Sequence, residues 1–193
     1  MPRGPRVICK DAIVNIASRG NNKRVIFKKD KDFEYFKKLL LKYKKRHGFK
    51  LYHYCLMRNH AHLLLKICDP KSLAKIMQGI QLAYFHYFRR RYGYVGRFWQ
   101  GRFCSKLVED DDYLLTAGMY IEGNPVRAKI VEHPEDYKWS SYKVYAYGAK
   151  DPLVDLKSYY LGLGQDDTER SKVYQQFMAG YLETNSELSQ SGK

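Results

Sequence analysis

The chain has 193 residues, 45% of them apolar, which is enough for one domain with its own core and without disulfides. That composition excludes a disordered chain, and no stretch approaches the roughly 20 uncharged apolar residues that span a bilayer. The net charge of +15 is uneven: the first 149 residues hold 30 basic and 13 acidic side chains, residues 150–193 only 5 and 7, and such a basic body points to a polyanionic partner.

Met1 to Lys10 is basic with no apolar run behind it, so no signal peptide is expected. Residues 12–17 read as a strand, and Arg19-Gly20-Asn21-Asn22 marks a turn. Asp30 or Asp32 can cap a helix that runs to about Arg46 and stops at Gly48, with Phe33, Phe36, Leu40 and Tyr43 at the helical period. Its other faces carry a row of lysines, read as a solvated surface. Residues 49–57 and 60–67 read as a strand pair turned by Arg58-Asn59. A long helix is predicted from about Ser72 to Arg91. A Gly- and aromatic-rich loop follows from Gly93 to Gly101, then a strand from Arg102 to Val108. Asp110-Asp111-Asp112 reads as a helix start, with negative charge at the positive end of the dipole. That helix carries Tyr113, Leu114, Ala117, Tyr120 and Ile121 until Gly123-Asn124-Pro125 interrupts or bends it. Trp139–Tyr147 and Glu169–Leu182 are further helices, and a frayed tail is expected after Glu183. This order predicts an α+β sandwich of helices over one mostly antiparallel sheet.

Cys9, Cys55, Cys68 and Cys104 are scattered and form no C-x-x-C pair, so a reduced, cytoplasmic protein is the default. The 18 tyrosines often neighbour Arg or Lys. Aromatic and basic groups interleaved in this way suit single-stranded nucleic acid, where bases stack and phosphates pair, although many of these rings must be core.

Two constellations can carry chemistry. On a strand, His60 and His62 point to one face and can converge on a divalent metal, or they are two ordinary hairpin histidines. On a helix, Tyr120 and Asn124 share a face. A phenol can act as a nucleophile on a metal-activated phosphate, while the alternative for any one tyrosine is a place in the core. Asp110 to Asp112 could imitate a two-metal nuclease cluster but are more simply a cap.

Four runs narrow these choices when taken together. They are Tyr54-Cys-Leu-Met-Arg-Asn-His60-Ala-His62-Leu-Leu-Leu, Trp99-Gln-Gly-Arg102-Phe, Tyr120-Ile-Glu-Gly-Asn124-Pro-Val-Arg127-Ala and Trp139-Ser-Ser-Tyr142. In this order, between residues 54 and 142, they resemble the HUH single-tyrosine transposases, specifically the REP-associated tyrosine transposase branch. Arg19-Gly20-Asn21-Asn22 after the first strand fits the same pattern. Ala61 at the hydrophobic position and Glu122-Gly123 in place of bulkier apolar residues depart from it.

The resemblance implies a ferredoxin-like α+β sandwich with an antiparallel sheet in residues 1–149; residues 150–193 read as a C-terminal helical extension and flexible tail. It implies Tyr120 as catalytic nucleophile, with His60 and His62 holding magnesium or manganese. Asn124 would complete the metal site, or it is a turn residue before proline. The partners implied are single-stranded DNA and DNA hairpins, with no membrane and no small-molecule cofactor. Arg19, Arg58, Arg97, Arg102, Lys106 and the Arg89–Arg91 run are the candidate DNA contacts. Trp99 would stack on an unpaired base or lie buried, and Arg127 would meet a phosphate or close a helix-end salt bridge. The protein would be a monomer or homodimer acting at the bacterial nucleoid. A catalytically idle nucleic-acid-binding protein of the same fold is the alternative; it would keep the basic face and tolerate loss of Tyr120.

Overall fold

The computed structural model describes residues 9–108 and 111–190. Four strands, β1 (Ala12–Arg19), β2 (Lys50–Met57), β3 (His60–Ile67) and β4 (Cys104–Val108), form one sheet in the order β2-β3-β1-β4. Every neighbouring pair is antiparallel. Helices α1 (Asp30–His47) and α2 (Ser72–Tyr92) connect β1 to β2 and β3 to β4. This β-α-β-β-α-β order is the ferredoxin-like arrangement, and it makes β1 and β3 the central strands.

The period of two on β1 assigns the faces. Val14, Ile16 and Ser18 are buried on the face where α2 reaches Ser18 through Gln81 (3.0 Å). Ile13, Asn15, Ala17 and Arg19 face the other way. In α1, Phe33, Phe36, Leu39 and Leu40 recur at the helical period and are buried. Asp32 fixes the start of that helix from its third position rather than from the cap itself. Its carboxylate accepts the backbone N–H groups of Lys28 (2.8 Å) and Lys29 (2.9 Å) and the hydroxyls of Tyr87 (2.9 Å) and Tyr92 (2.7 Å). Burial alone would raise this carboxyl, but the four donors outweigh it and hold it below its usual range. Gly48, at φ 66°, closes α1 in the left-handed conformation that glycine adopts freely.

The opposite face of the sheet is covered by α3 (Asp111–Glu122). Asp110, part of the expected acidic start, lies outside the described residues. Past Gly123 the chain adds one more turn, α4 (Asn124–Arg127), so the glycine and proline bend the path without stopping it. The expected helix from Trp139 begins only at Tyr142: α5 spans Tyr142–Tyr147. Trp139 and Ser140 instead run along the open edge of β2, where Leu56 donates its N–H to the Trp139 carbonyl (2.8 Å). An unpaired sheet edge thus outcompetes one further helical turn.

A short α6 (Ser158–Leu161) leads to α7 (Asp167–Gln190), which continues past Glu183, where a frayed tail was expected. Together α3, α5, α6 and α7 bury a second cluster that includes Met119, Tyr145, Tyr160, Tyr174 and Met178. Cys9, Cys55, Cys68 and Cys104 are all free. Among the described residues no helix is long and apolar enough to cross a membrane.

Candidate active site

β3 is bonded on both sides, by β2 and β1, so its side chains leave the sheet in fixed directions. His60 and His62, two residues apart, rise from the face that α3 covers. Their ring centroids lie 4.9 Å apart at 86°. The residues paired beside His62 are small: Ala17 on β1, and Cys104 next to it on β4. With no bulk there, a cavity of about 1020 Å³ opens above the sheet, walled by Arg19, Gln100, Gly101 and Arg102 and reached by Tyr120 and Asn124.

The Gly93–Gly101 loop is stapled to the end of β1. Asn21 donates to the Phe98 carbonyl and Gln100 to the Arg19 carbonyl, both at 2.8 Å. Gly20 sits inside this staple, where a Cβ would collide with the Arg24 carbonyl and the Ile26 side chain.

Burial of the two imidazoles disfavours their charged forms. It lowers His60 to about 4, helped by Arg19, and His62 to about 3, helped by His60, Arg127 and Arg19. Both rings are therefore neutral near pH 7 and keep a lone pair. The Asn59 amide oxygen accepts from His60 Nδ1 at 2.5 Å, which leaves Nε2 as the lone-pair nitrogen of that ring. Among the described residues, His62 Nδ1 is buried without a hydrogen-bond partner. An orphaned ring nitrogen in a neutral imidazole pair beside an open cavity fits a divalent cation. Among the described residues no cluster of three or more His, Cys, Asp or Glu side chains could hold a metal. An amide oxygen, water or substrate could supply further ligands.

Asn124 is the amide at hand. Its Nδ2 donates to the carbonyls of Tyr120 and Ile121 (3.1 Å each), and its Oδ1 accepts from Arg127 (2.9 Å). That oxygen retains a second lone pair. The Tyr120 ring is 43% exposed and stands edge-to-face to His62, with centroids 6.1 Å apart. Its place depends on a residue that the sequence reading passed over. A Cβ on Gly118 would lie 2.6 Å from the His53 ring, so only glycine lets α3 approach the sheet this closely.

Glu122 is the fully buried hub at the end of α3. It accepts from His53 (2.7 Å), Ser141 (2.5 Å) and Tyr174 (2.7 Å), and His53 in turn bonds Tyr159. These partners come from distant segments and left no local signal.

Of the candidate DNA contacts, Arg19 and Arg102 stand on the cavity wall, and exposed Lys106 lines the adjoining hollow beside Tyr120. Arg58, in the β2–β3 turn, flanks His60 from outside, and Arg97 is exposed on the stapled loop. Trp99 is half-buried, and its indole N–H is taken by the Gln81 carbonyl (3.0 Å). Arg91 pairs with Asp32 (3.5 Å), so this end of the arginine run serves the α1–α2 layer. Among the described residues Arg127 meets no carboxylate. It lies over the Tyr120 ring, with Cζ 4.2 Å from the centroid.

A family model described as "Transposase IS200 like" matches residues 9–124, from the start of the sheet to Asn124. The chain belongs to the IS200-like transposase family. The matched segment of this transposase contains the histidine pair, the stapled loop and Tyr120. Among solved structures the transposase is similar to one described as the REP-associated tyrosine transposase bound to a REP hairpin. The TM-score is 0.67 at 16% identity, over 82% of this chain and 96% of that one. A putative transposase from Deinococcus radiodurans R1 aligns at 19% identity over 64% of this chain and 97% of that one, with a TM-score of 0.38. No curated protein sequence matches the transposase.

Proposed function

We propose that this transposase cuts and rejoins single-stranded DNA through a covalent 5′-phosphotyrosine, with Tyr120 as nucleophile and His60 and His62 as ligands of a magnesium or manganese ion. The observation that carries this reading is the edge-to-face approach of Tyr120 and His62, 6.1 Å apart, at a cavity where a buried imidazole nitrogen has no partner among the described residues. The bound metal would supply Lewis-acid stabilisation of charge developing on a non-bridging phosphate oxygen. Asn124 Oδ1 would add a hard oxygen ligand.

The rest is the work of the chain's own residues. Asn59 would orient the His60 ring through Nδ1 and leave the Nε2 lone pair for a ligand. The basic wall of Arg19 and Arg102, with Lys106 beside it, would hold the strand's phosphates. Arg58 and Arg97 would extend that track, and the free face of Trp99 would offer a platform for an unpaired base. Attack by the Tyr120 oxygen forms an O–P bond and breaks the bond from phosphorus to the leaving 3′-oxygen. The phenol proton is lost to solvent, and the leaving oxygen ends as a 3′-hydroxyl. The bond energy is conserved in the phosphotyrosine, so another strand's 3′-hydroxyl can reverse the step and release Tyr120 without ATP.

By analogy with the solved relative that is bound to a REP hairpin, the substrate would be a DNA hairpin with single-stranded flanks. All the proposed groups belong to one chain, which suits action as a monomer. Residues 1–149 would be the catalytic domain, extended by 150–193, and chromosomal hairpins would place the reaction at the bacterial nucleoid.

The test is incubation with hairpin oligonucleotides and manganese, followed by a denaturing gel. Wild type should give a protein–DNA adduct and Tyr120→Phe none. Free cleaved ends without adduct, retained in Tyr120→Phe, would instead identify a water-using nuclease.

A further inference from the structure

The family match ends at Asn124, but the seat of Tyr120 is completed by residues beyond it. Arg127 donates through Nη2 to the Tyr120 carbonyl (2.8 Å) and to Asn124 Oδ1 (2.9 Å), and through Nη1 to the Tyr181 hydroxyl (2.7 Å). Its guanidinium carbon lies over the Tyr120 ring at the same time. Tyr181 belongs to α7, and that helix packs directly over the α3–α4 bend. A Cβ on Gly123 would come within 3.2 Å of Leu182 and 3.6 Å of Tyr181.

We propose that Arg127 is the positioning residue that fixes the Tyr120 ring for attack, and that Tyr181, by anchoring Arg127, makes the C-terminal helix part of the catalytic apparatus. This rests on Tyr120 being the nucleophile. A phenol on a side chain 43% exposed would otherwise sample several rotamers, and attack in line with a scissile bond needs one of them. A planar guanidinium can stack on a ring while its N–H fork binds two acceptors at the helix end, which an ammonium cannot do. The three N–H groups named above are spent within the protein, which argues against a phosphate anchor as the main role of this arginine.

Two readouts on full-length protein test the proposal. The first is the tyrosine NMR spectrum of 13C-labelled protein without metal or DNA, with the Tyr120 signal assigned through Tyr120→Phe. The second is the rate of adduct formation with manganese and a flanked hairpin oligonucleotide taken from DNA around the protein's own gene.

Arg127→Met and Tyr181→Phe should both displace the Tyr120 signal. At saturating DNA the adduct rate should fall roughly 10- to 100-fold for Arg127→Met and less for Tyr181→Phe. The half-saturating DNA concentration should not change, and Arg127→Lys should restore only part of the rate. An unmoved Tyr120 signal in both variants would overturn the proposal. So would a loss confined to DNA affinity with a shallower salt dependence, the signature of a phosphate contact. If wild type forms no adduct, the nucleophile assignment fails on its own, and the NMR comparison still decides whether Arg127 and Tyr181 hold the ring. Should Arg127→Met not fold, Tyr181→Phe, which removes a single hydroxyl, carries the test.

Discussion

Two imidazoles packed edge to face and partly buried cannot both be charged cheaply, and burial holds His60 near 4 and His62 near 3. The unfolded chain takes up these protons near pH 6.5, the folded chain only below about 4. The folded values are depressed for basic groups, so the stability they allow is fully present above about pH 6.5. It is lost progressively as pH falls toward 4 and below. The urea midpoint should therefore drop more steeply between pH 6.5 and 4 in wild type than in a His60→Gln/His62→Gln variant; equal slopes would show that the rings titrate normally. The Asn59 bond to His60 makes a second prediction at this scale. Asn59→Ala should weaken manganese binding about 10- to 100-fold by titration calorimetry while leaving the fold intact. The strand period put the two histidines on one face, and only the motifs in chain order singled them out as a metal pair. The orphaned state of His62 was not, because it depends on what α3 and β1 place around that ring.

At the scale of elements, the approach of α3 to the sheet decides whether Tyr120 reaches the histidines. Gly118→Ala would put a methyl 2.6 Å from the His53 ring and lift the helix. The expected cost is about 1–3 kcal/mol in urea unfolding, with an adduct rate depressed further than stability alone explains. An unaffected rate would mean that α3 is not held by this contact. Strands β1 to β4 and helices α1 and α2 fell within a residue or two of their sequence readings, because each carries a clean period and a turn or cap at its ends. The Trp139 segment did not. Its tryptophan stacks on Phe33 of α1, 4.5 Å between centroids, and its backbone pairs with the edge of β2. Neither partner is local, so no pattern in the segment itself reveals that it starts extended. Helix α7 was cut short at Leu182 for a related reason: its polar C-terminal half carries little periodic signal, while the structure continues the helix to Gln190.

Over the whole molecule, the excess of +15 is an electrostatic resource with a direction. Arg19, Arg102 and Lys106 gather around the His–Tyr cavity from β1, the stapled loop and β4. Binding of single-stranded DNA should weaken steeply with salt. Removing any one of these three charges should lower the slope of log affinity against log salt by about one, measured by fluorescence anisotropy at several salt concentrations. Lys38→Ala on exposed α1 should leave the slope unchanged. The family and the fold class could be read from motifs and elements in chain order. The wrapping of α7 over the α3–α4 bend could not, since a chain segment without catalytic motifs gives no sign of what it will touch.

The central claim is a meeting of Tyr120, His60 and His62 around one cation and one phosphate. Anomalous diffraction from manganese-soaked crystals of Tyr120→Phe bound to a hairpin oligonucleotide tests it most directly. The account predicts one manganese peak within coordination distance of a ring nitrogen from each histidine and of a phosphate oxygen, with the edge of the substituted ring at position 120 facing that phosphorus. A map with no manganese between the two imidazoles, or with the scissile phosphate away from position 120, would contradict it.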